Sequence, residues 1–243
     1  MAGPLYASHM PLNLPQKAAL TVLSAVGALL RPGRADLVGV VGETTGVGAA
    51  KQLRDRMRAD ATGRMLLQGR PRVTNASVAS CWDMEPGTFG AAYAQFMGDR
   101  NFQADSRPPV RFVDDAELAY VLTRAREVHD FWHVLFDCNT DIFGELAIKG
   151  LEFVQTGLPM SGLAVAGAQW RLPASDRRLL NTIYMPWALR AGIACTDLIC
   201  LDYEQHFQED LDELRKRWKI ITAPLPPAHL RFRSKQDPAS PST

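Results

Sequence analysis

Three features are missing from this sequence: a long apolar run, clustered cysteines and an excess of charge of one sign. No stretch reaches the roughly 20 apolar residues that a membrane-spanning helix needs. The nearest candidates, residues 18–30 and 158–170, are shorter and are interrupted by small residues. We expect both to be core helices. The alternative is that one of them lines a tunnel for a lipid chain or dips into a membrane surface.

The cysteines and the charge balance exclude further classes of protein. The four cysteines are Cys81, Cys138, Cys195 and Cys200. They lack C-x-x-C spacing and fit a reducing compartment better than a disulfide scaffold. A formal net charge of +1 gives no electrostatic reason to expect nucleic acid as a partner.

Length and patterning predict one helical domain. With 243 residues, 47% of them apolar, the chain can bury a sizeable core. We assign residues 1–224 to a single-domain, all-α multi-helix bundle and residues 225–243 to a flexible tail that contains proline and serine without periodicity. There is no internal repeat and no convincing run of strands. Besides 158–170, the predicted helices cover about 16–30, 36–41, 49–59, 88–98, 115–137, 141–156, 176–191 and 197–218. The first of these includes the apolar segment 18–30.

A glycine-rich turn over residues 42–48 superficially suggests a phosphate loop. It lacks the Lys-Ser or Lys-Thr ending of such a loop and follows a predicted helix rather than a strand. We therefore expect a plain turn there. A second local expectation is a kink at Pro186, inside the predicted helix 176–191.

The strongest functional signal is the run H-D-F-W-H at residues 129–133. On an α-helix, with about 100° per residue, His129 and His133 stand about 40° apart and one turn along, so both imidazoles can bind one ion. Both fall inside the apolar stripe of an amphipathic helix, where each ring needs partners for two nitrogens. The alternative is a pair of core histidines bonded to backbone carbonyls or water.

The limits of this helix follow from its flanking residues. Asp114 and Glu117 have the spacing of a capping box, which starts the helix near residue 115. A tight polar turn over 139–141 then leads into a second helix, which ends at Gly157 and Pro159.

The second helix carries the third candidate ligand, Glu145. Two helices joined by so short a link pack antiparallel, which places Glu145 level with His133. A plain surface ion pair between Glu145 and Lys149 competes with this role. Asp130 projects about 100° away from His129 and either binds the metal or supports a ligand from behind. Four ligands of mixed N and O type suit Zn²⁺, and histidine with carboxylate also suits Fe²⁺ or Mn²⁺.

The pattern H-D-x-x-H-x11-E resembles the signature of the family of the fourth coenzyme Q biosynthesis protein. Other runs carry the same resemblance: G-P-L-Y at 3–6, G-E-T-T-G at 42–46, R-F-V-D-D at 111–115, E-L-A-Y at 117–120, Q-T-G-L-P at 155–159, Y-E at 203–204 and I-T-A-P at 221–224. The resemblance covers nearly the whole chain. Several runs in one order with similar spacing make it specific.

The resemblance implies an all-helical protein of ubiquinone biosynthesis. It implies association with the matrix face of the mitochondrial inner membrane and with the other enzymes of the pathway, and it is compatible with a homodimer. Mitochondrial members carry a basic presequence ahead of the G-P-L-Y run, which here follows residue 2; we still expect a mitochondrial location.

The resemblance also implies a chemistry. The expected reaction is removal of the C1 carboxylate from a 4-hydroxy-3-methoxy-5-polyprenylbenzoate intermediate, with or without hydroxylation at that carbon. By the same match, His129, Asp130, His133 and Glu145 inherit the role of zinc ligands.

Other interpretations stay open at this stage. The main one is a non-catalytic, lipid-binding scaffold that organises the biosynthetic complex around a structural metal. A metallopeptidase fits poorly because Asp130 lacks the reach of the glutamate in H-E-x-x-H. A phosphohydrolase with a His-Asp doublet fits poorly because only His9 lies upstream. Arg124 and Arg126 could meet a substrate carboxylate or be solvated charges.

Overall fold

The computed structural model describes residues 3–31 and 34–230. The predicted all-α class is confirmed, since the described residues form helices and no named strand. The helices are α1 Leu14–Leu30, α2 Ala35–Thr45, α3 Val47–Ala59, α4 Ala61–Gly69, α5 Phe89–Arg100, α6 Ala116–Glu127, α7 His129–Phe136, α8 Ile142–Thr156, α9 Pro159–Ala168, α10 Ala174–Leu179, α11 Met185–Ala194 and α12 Leu211–Arg217. Within these ranges no helix has both the length and the apolar character of a membrane span.

The predicted tail falls partly outside the described residues, which end at Leu230. Residues 231–243 therefore remain an expectation. Of the described tail residues, Leu230 contacts the helical part, because Asn139 donates a hydrogen bond to its carbonyl at 3.2 Å. Just before the predicted tail, Tyr184 donates a hydrogen bond to the carbonyl of Pro224 at 2.6 Å.

Two groups of buried apolar side chains form the core. The smaller group holds residues of α3, α4 and α6, including Leu53, Leu66 and Val121. The larger group holds residues of α5, α7, α8 and α11, including Trp132 and Trp187. The histidine-bearing helix thus sits in the larger group, directly after a helix that belongs to the smaller one.

The predicted start of α6 is wrong by one residue. Asp115, not Asp114, is the N-cap, and its Oδ1 accepts hydrogen bonds from the N–H groups of Glu117 and Leu118 at 2.9 Å each. The carboxylate of Asp114 is instead held by His9 at 3.0 Å and by Lys17. Asp114 is therefore bound by the N-terminal segment and does not cap α6.

The single helix predicted over 115–137 is interrupted once. Val128, at φ −82° and ψ −6°, separates α6 from α7. Helical hydrogen bonding continues across it, because its N–H donates to the carbonyl of Arg124 at 3.0 Å and its carbonyl accepts from Trp132 at 3.3 Å.

The helix predicted over 197–218 is wrong, since its first part forms short 3₁₀ turns and α12 alone is α-helical. The carbonyls of Phe207 and Glu209 accept hydrogen bonds from the N–H groups of Gly90 at 2.8 Å and Phe89 at 2.9 Å. These are donors that the start of α5 leaves free. A continuous helix over 197–218 would use those carbonyls internally.

Two turns also differ from expectation. The glycine-rich turn over 42–48 shrinks to Gly46, because α2 runs to Thr45 and α3 begins at Val47. The helix predicted over 176–191 contains a π-helical turn at Leu180–Tyr184, immediately before the Pro186 that was expected to kink it. The helix α4 was not predicted, although Asp60 caps it by accepting a hydrogen bond from Gly63 at 2.8 Å.

The two apolar segments 18–30 and 158–170 are not core helices, contrary to expectation. Among the side chains described in these helices, one is buried in each: Ser24 in α1 and Ser161 in α9. Exposed apolar side chains on these two segments are Val22, Leu23, Val26, Leu30, Leu163 and Trp170. The main helix contacts of α1 are with α2, and those of α9 are with α8 and α2.

Candidate metal centre

Three of the predicted ligands converge. The Nε2 atoms of His129 and His133 lie 3.1 Å apart. Glu145 approaches both, with Oε1 at 3.3 Å from Nε2 of His133 and Oε2 at 3.5 Å from Nε2 of His129. One ligand atom from each residue lies within 4.8 Å of the others. We call His129, His133 and Glu145 the triad.

The link between α7 and α8 brings Glu145 to the histidines. Asp137, at φ +54°, ends α7, and Asp141 starts α8 by accepting a hydrogen bond from Gly144 at 2.8 Å. A Cβ atom at Gly144 would lie 2.2 Å from the carbonyl oxygen of Asn139. Gly144 directly precedes Glu145, and only glycine at this position lets the link pass so close.

The other ring nitrogens of the two histidines are already used. Nδ1 of His133 lies 3.0 Å from the carbonyl oxygen of Cys138, and Nδ1 of His129 lies 2.9 Å from Oε2 of Glu152. A carbonyl or carboxylate oxygen can only accept, so each Nδ1 carries the hydrogen. In neutral rings both Nε2 atoms then present lone pairs, which face each other and the Glu145 carboxylate. Such a set of acceptors needs a proton or a cation between them.

Glu152 is a member of the site that sequence reasoning missed. Its Oε2 also accepts from Lys149 at 2.6 Å, and its Oε1 accepts from Ser161 at 2.7 Å. Burial acts to raise the pKa of Glu152, but Lys149 and His129 outweigh it and lower that pKa. Glu152 is therefore a carboxylate that fixes the His129 ring. Its position seven residues after Glu145, on the same helical face, was the available signal.

Lys149 therefore does not form the ion pair with Glu145 that was the alternative to the ligand role of that residue. Its ammonium group contacts Glu152 instead. Burial acts to raise the pKa of Glu145, yet the neighbouring imidazoles of His129 and His133 outweigh it and hold that pKa well below its usual range. For His129, burial and Lys149 act to lower the pKa, but Glu145 and Glu152 outweigh them and raise it. The triad thus attracts positive charge.

Asp130 points away from the triad and pairs with Arg107, whose Nη2 lies 2.6 Å from its Oδ1. Its ligand role stays a prediction. Of the arginines singled out in the sequence, Arg124 is fully buried against Glu204, and Arg126 pairs with Glu43 at 2.7 Å. Neither is a solvated charge.

A family model described as "Coenzyme Q (ubiquinone) biosynthesis protein Coq4" matches residues 6–224. The chain belongs to the Coq4 family. This confirms the resemblance carried by the sequence motifs, and the match includes all three residues of the triad.

Relatives of this Coq4 family member are similar over most of their length. The "Ubiquinone biosynthesis protein COQ4 homolog, mitochondrial" of Homo sapiens is 41% identical over 226 residues, which cover 92% of this chain and 85% of the human protein. The "Ubiquinone biosynthesis protein coq4, mitochondrial" of Aspergillus terreus is 40% identical over 224 residues, covering 91% of this chain and 78% of the relative.

A solved structure shares the fold. It is a crystal structure of a Nostoc punctiforme protein that was provisionally named for ubiquinone biosynthesis. It superposes with a TM-score of 0.66 at 19% identity and covers 83% of this Coq4 family member and 97% of its own chain. At that identity the likeness is one of fold.

Proposed function

We propose that this chain is a metal-dependent enzyme of ubiquinone biosynthesis that removes the C1 carboxylate of a 4-hydroxy-3-methoxy-5-polyprenylbenzoate. Family membership supports the pathway. The observation that carries the chemistry is the convergence of three acceptor groups. Two are the Nε2 atoms of His129 and His133, whose rings carry their hydrogen on Nδ1, and the third is the Glu145 carboxylate. The proposal predicts one tightly held divalent cation per chain.

The donor set fits Zn²⁺ best, and Fe²⁺ or Mn²⁺ also accept two imidazoles and a carboxylate. When bound, the cation would act as a Lewis acid that holds oxygens of the aromatic acid and stabilises the charge that develops on them during the reaction. His129 and His133 would hold it, each oriented through its Nδ1 hydrogen bond, and Glu145 would complete the set. Three protein ligands are typical of catalytic rather than structural zinc sites. Asp130 is proposed as a fourth ligand or a supporting residue.

Access to the site supports catalysis over a purely structural role. The side chain of Glu145 is 39% exposed, whereas that of His133 is fully buried. The triad is therefore open on the Glu145 side and closed behind the histidines. Phe96 stacks on the His133 ring at 5.6 Å and closes that side to water.

An apolar groove supports a substrate with a prenyl chain. It has a volume of about 310 Å³ and lies between α8, α9 and α11. Residues that line it include Phe153, Val165, Met185 and Leu189. Phe153 lies on the same helix as Glu145, eight residues and about 12 Å along the axis. If the segment 158–170 lines a path for a lipid chain, the chain would lie in this groove.

The reaction replaces the carboxylate of the ring by a proton. The hydroxyl para to C1 donates electron density, so a proton added at C1 gives a dienone-like cation, and loss of carbon dioxide restores the aromatic ring. In an oxidative version a hydroxyl group replaces the carboxylate and an external oxidant is consumed. Glu145 is ionised and serves as a ligand, so it is not the source of the proton added at C1. That proton comes from water, which reaches the site at the exposed Glu145 side.

The relatives' names support a location. Both the human and the Aspergillus terreus relative are named mitochondrial. We propose that this chain acts at the matrix face of the mitochondrial inner membrane, bound peripherally, alongside the other coenzyme Q biosynthesis enzymes, as a monomer or homodimer.

The proposal is tested with purified, zinc-loaded protein and a short-chain substrate, 4-hydroxy-3-methoxy-5-geranylbenzoate labelled at the carboxyl carbon. We expect labelled carbon dioxide and a product with hydrogen at C1. A product with a hydroxyl at C1, formed only with an oxidant, would establish the oxidative version. Protein that holds the metal and binds the acid but releases no carbon dioxide under either condition would instead favour the lipid-binding scaffold.

A further inference from the structure

Arg107 lies beside the triad without belonging to it. Its Nη2 atom is 2.6 Å from Oδ1 of Asp130, the residue that follows His129. Among the described residues, no other acceptor lies within hydrogen-bonding distance of its guanidinium group. A guanidinium carries five N–H donors, so most of those of Arg107 have no partner in the part of the chain that the structure describes.

Arg107 is partly exposed and lies close enough to Glu145 to feel its charge. Its side chain is 31% exposed, close to the 39% of Glu145 and unlike the buried histidines. Burial acts to lower the pKa of Arg107, but the charges of Asp130 and Glu145 outweigh it and raise that pKa. The cation of Arg107 therefore interacts with one side chain of the triad as well as with Asp130.

A second donor without a partner lies near the same pair. The hydroxyl of Tyr93 is buried and has no hydrogen-bond partner among the described residues. Burial, aided by the charge of Asp130, raises the pKa of Tyr93, so the hydroxyl stays protonated. Tyr93 lines a cavity of about 230 Å³ together with Ala104, three residues before Arg107. A buried donor left unpaired is costly unless a ligand or water satisfies it.

We propose that Arg107 binds the carboxylate of an aromatic acid at the open side of the triad. The inference rests on the proposed function and names the residue that recognises the substrate. Asp130 holds one edge of the guanidinium group, and the remaining N–H groups are presented as a fork that matches the two oxygens of a carboxylate. Tyr93 supplies a further donor in the adjoining cavity.

A comparison within the chain separates this arrangement from a plain ion pair. Arg72 also covers a buried carboxylate, that of Glu127. There the arginine uses two nitrogens, Nε at 2.7 Å and Nη2 at 2.6 Å, and the N–H of Val73 also binds Glu127 at 3.0 Å. Two nitrogens of Arg72 thus bind its carboxylate partner, whereas among the described residues only Nη2 of Arg107 does so.

The test measures binding rather than turnover. Zinc-loaded full-length protein is titrated with 4-hydroxy-3-methoxy-5-geranylbenzoate and, separately, with 2-methoxy-6-geranylphenol, the same molecule without its carboxylate. We expect R107Q to weaken binding of the acid by about tenfold to a hundredfold, the range for a lost hydrogen-bonded charge, and to leave binding of the phenol unchanged. R72Q is the matched control and should bind both molecules like the wild type.

A conservative variant keeps the test valid if R107Q folds poorly. R107K retains a cation next to Asp130 but loses the planar fork, so it should melt like the wild type and still bind the acid more weakly. Equal affinity of the wild type, R107Q and R107K for the acid would overturn the role of Arg107 and leave the proposed function standing. A wild type that binds neither molecule would overturn both.

Discussion

Glu152 accepts a hydrogen bond from Nδ1 of His129 at 2.9 Å, and this contact decides which nitrogen of that ring faces the triad. With the hydrogen on Nδ1, the lone pair of Nε2 points toward His133 and Glu145. The carbonyl of Cys138 does the same for His133 at 3.0 Å. The site is thus built from two pre-oriented imidazoles, one held by a carboxylate of α8 and one by the turn after α7.

The contact between Glu152 and His129 predicts that E152Q binds metal about 10–100-fold more weakly, because loss of the partner frees the ring and lowers its basicity. Competition with a chelator of known affinity measures this. The matched control is E209Q, which removes a carboxylate from His206, a histidine outside the triad, and should keep wild-type affinity. Unchanged affinity in E152Q would contradict an orienting role.

Either histidine of the triad should be necessary for the metal. We expect H129A and H133A to be purified without a bound divalent cation and without decarboxylase activity, since each variant loses one imidazole of the triad. Elemental analysis of each protein measures this, with H229A, at an exposed histidine, as the control that keeps its metal. Full activity in both metal-free variants would remove the metal from the proposed mechanism.

Gly144 should tolerate no side chain. In G144A the new methyl group would meet the Asn139 carbonyl at 2.2 Å, so the link and Glu145 must shift. We expect a loss of about 1–3 kcal/mol in the free energy of unfolding together with weaker metal binding. Chemical denaturation and chelator competition measure the two effects. In G48A, where nothing lies within 4 Å, the added methyl group should leave both quantities unchanged or slightly improve stability.

The buried pair of Arg124 and Glu204 predicts a pH dependence away from the triad. Burial acts to raise the pKa of Glu204, but Arg124 outweighs it and lowers that pKa below the ordinary 4.5. A carboxyl with a depressed folded-state pKa stabilises the protein above its unfolded pKa, and this stabilisation is lost as the pH falls through the folded value.

We therefore expect E204Q to lose about 3 kcal/mol of unfolding free energy at pH 7, because Arg124 is left charged and buried. The difference between wild type and E204Q should shrink as the pH falls below 4.5. Urea denaturation at several pH values measures it. A difference that stays constant down to acid pH would show that the pair contributes no such stabilisation.

Much of the centre follows from local sequence rules. The helical repeat places His129 and His133 on one face, and Asp141 and Gly157 delimit the helix that carries Glu145. These are short-range effects, so the sequence suffices for them. The misassigned segments are those where distant residues compete: His9 and Lys17 take Asp114 from its predicted cap, and the start of α5 takes carbonyls from the segment 197–218.

By itself the sequence determined the helical class and three residues of the candidate centre, because helix periodicity, N-caps and a short link act between neighbours in the chain. The family followed from the resemblance of its motifs. Only the tertiary structure decided that Asp130 pairs with Arg107, that Glu152 orients His129 and that α1 and α9 leave apolar side chains exposed. Each of these depends on how separate segments pack together, and no spacing within one segment encodes it.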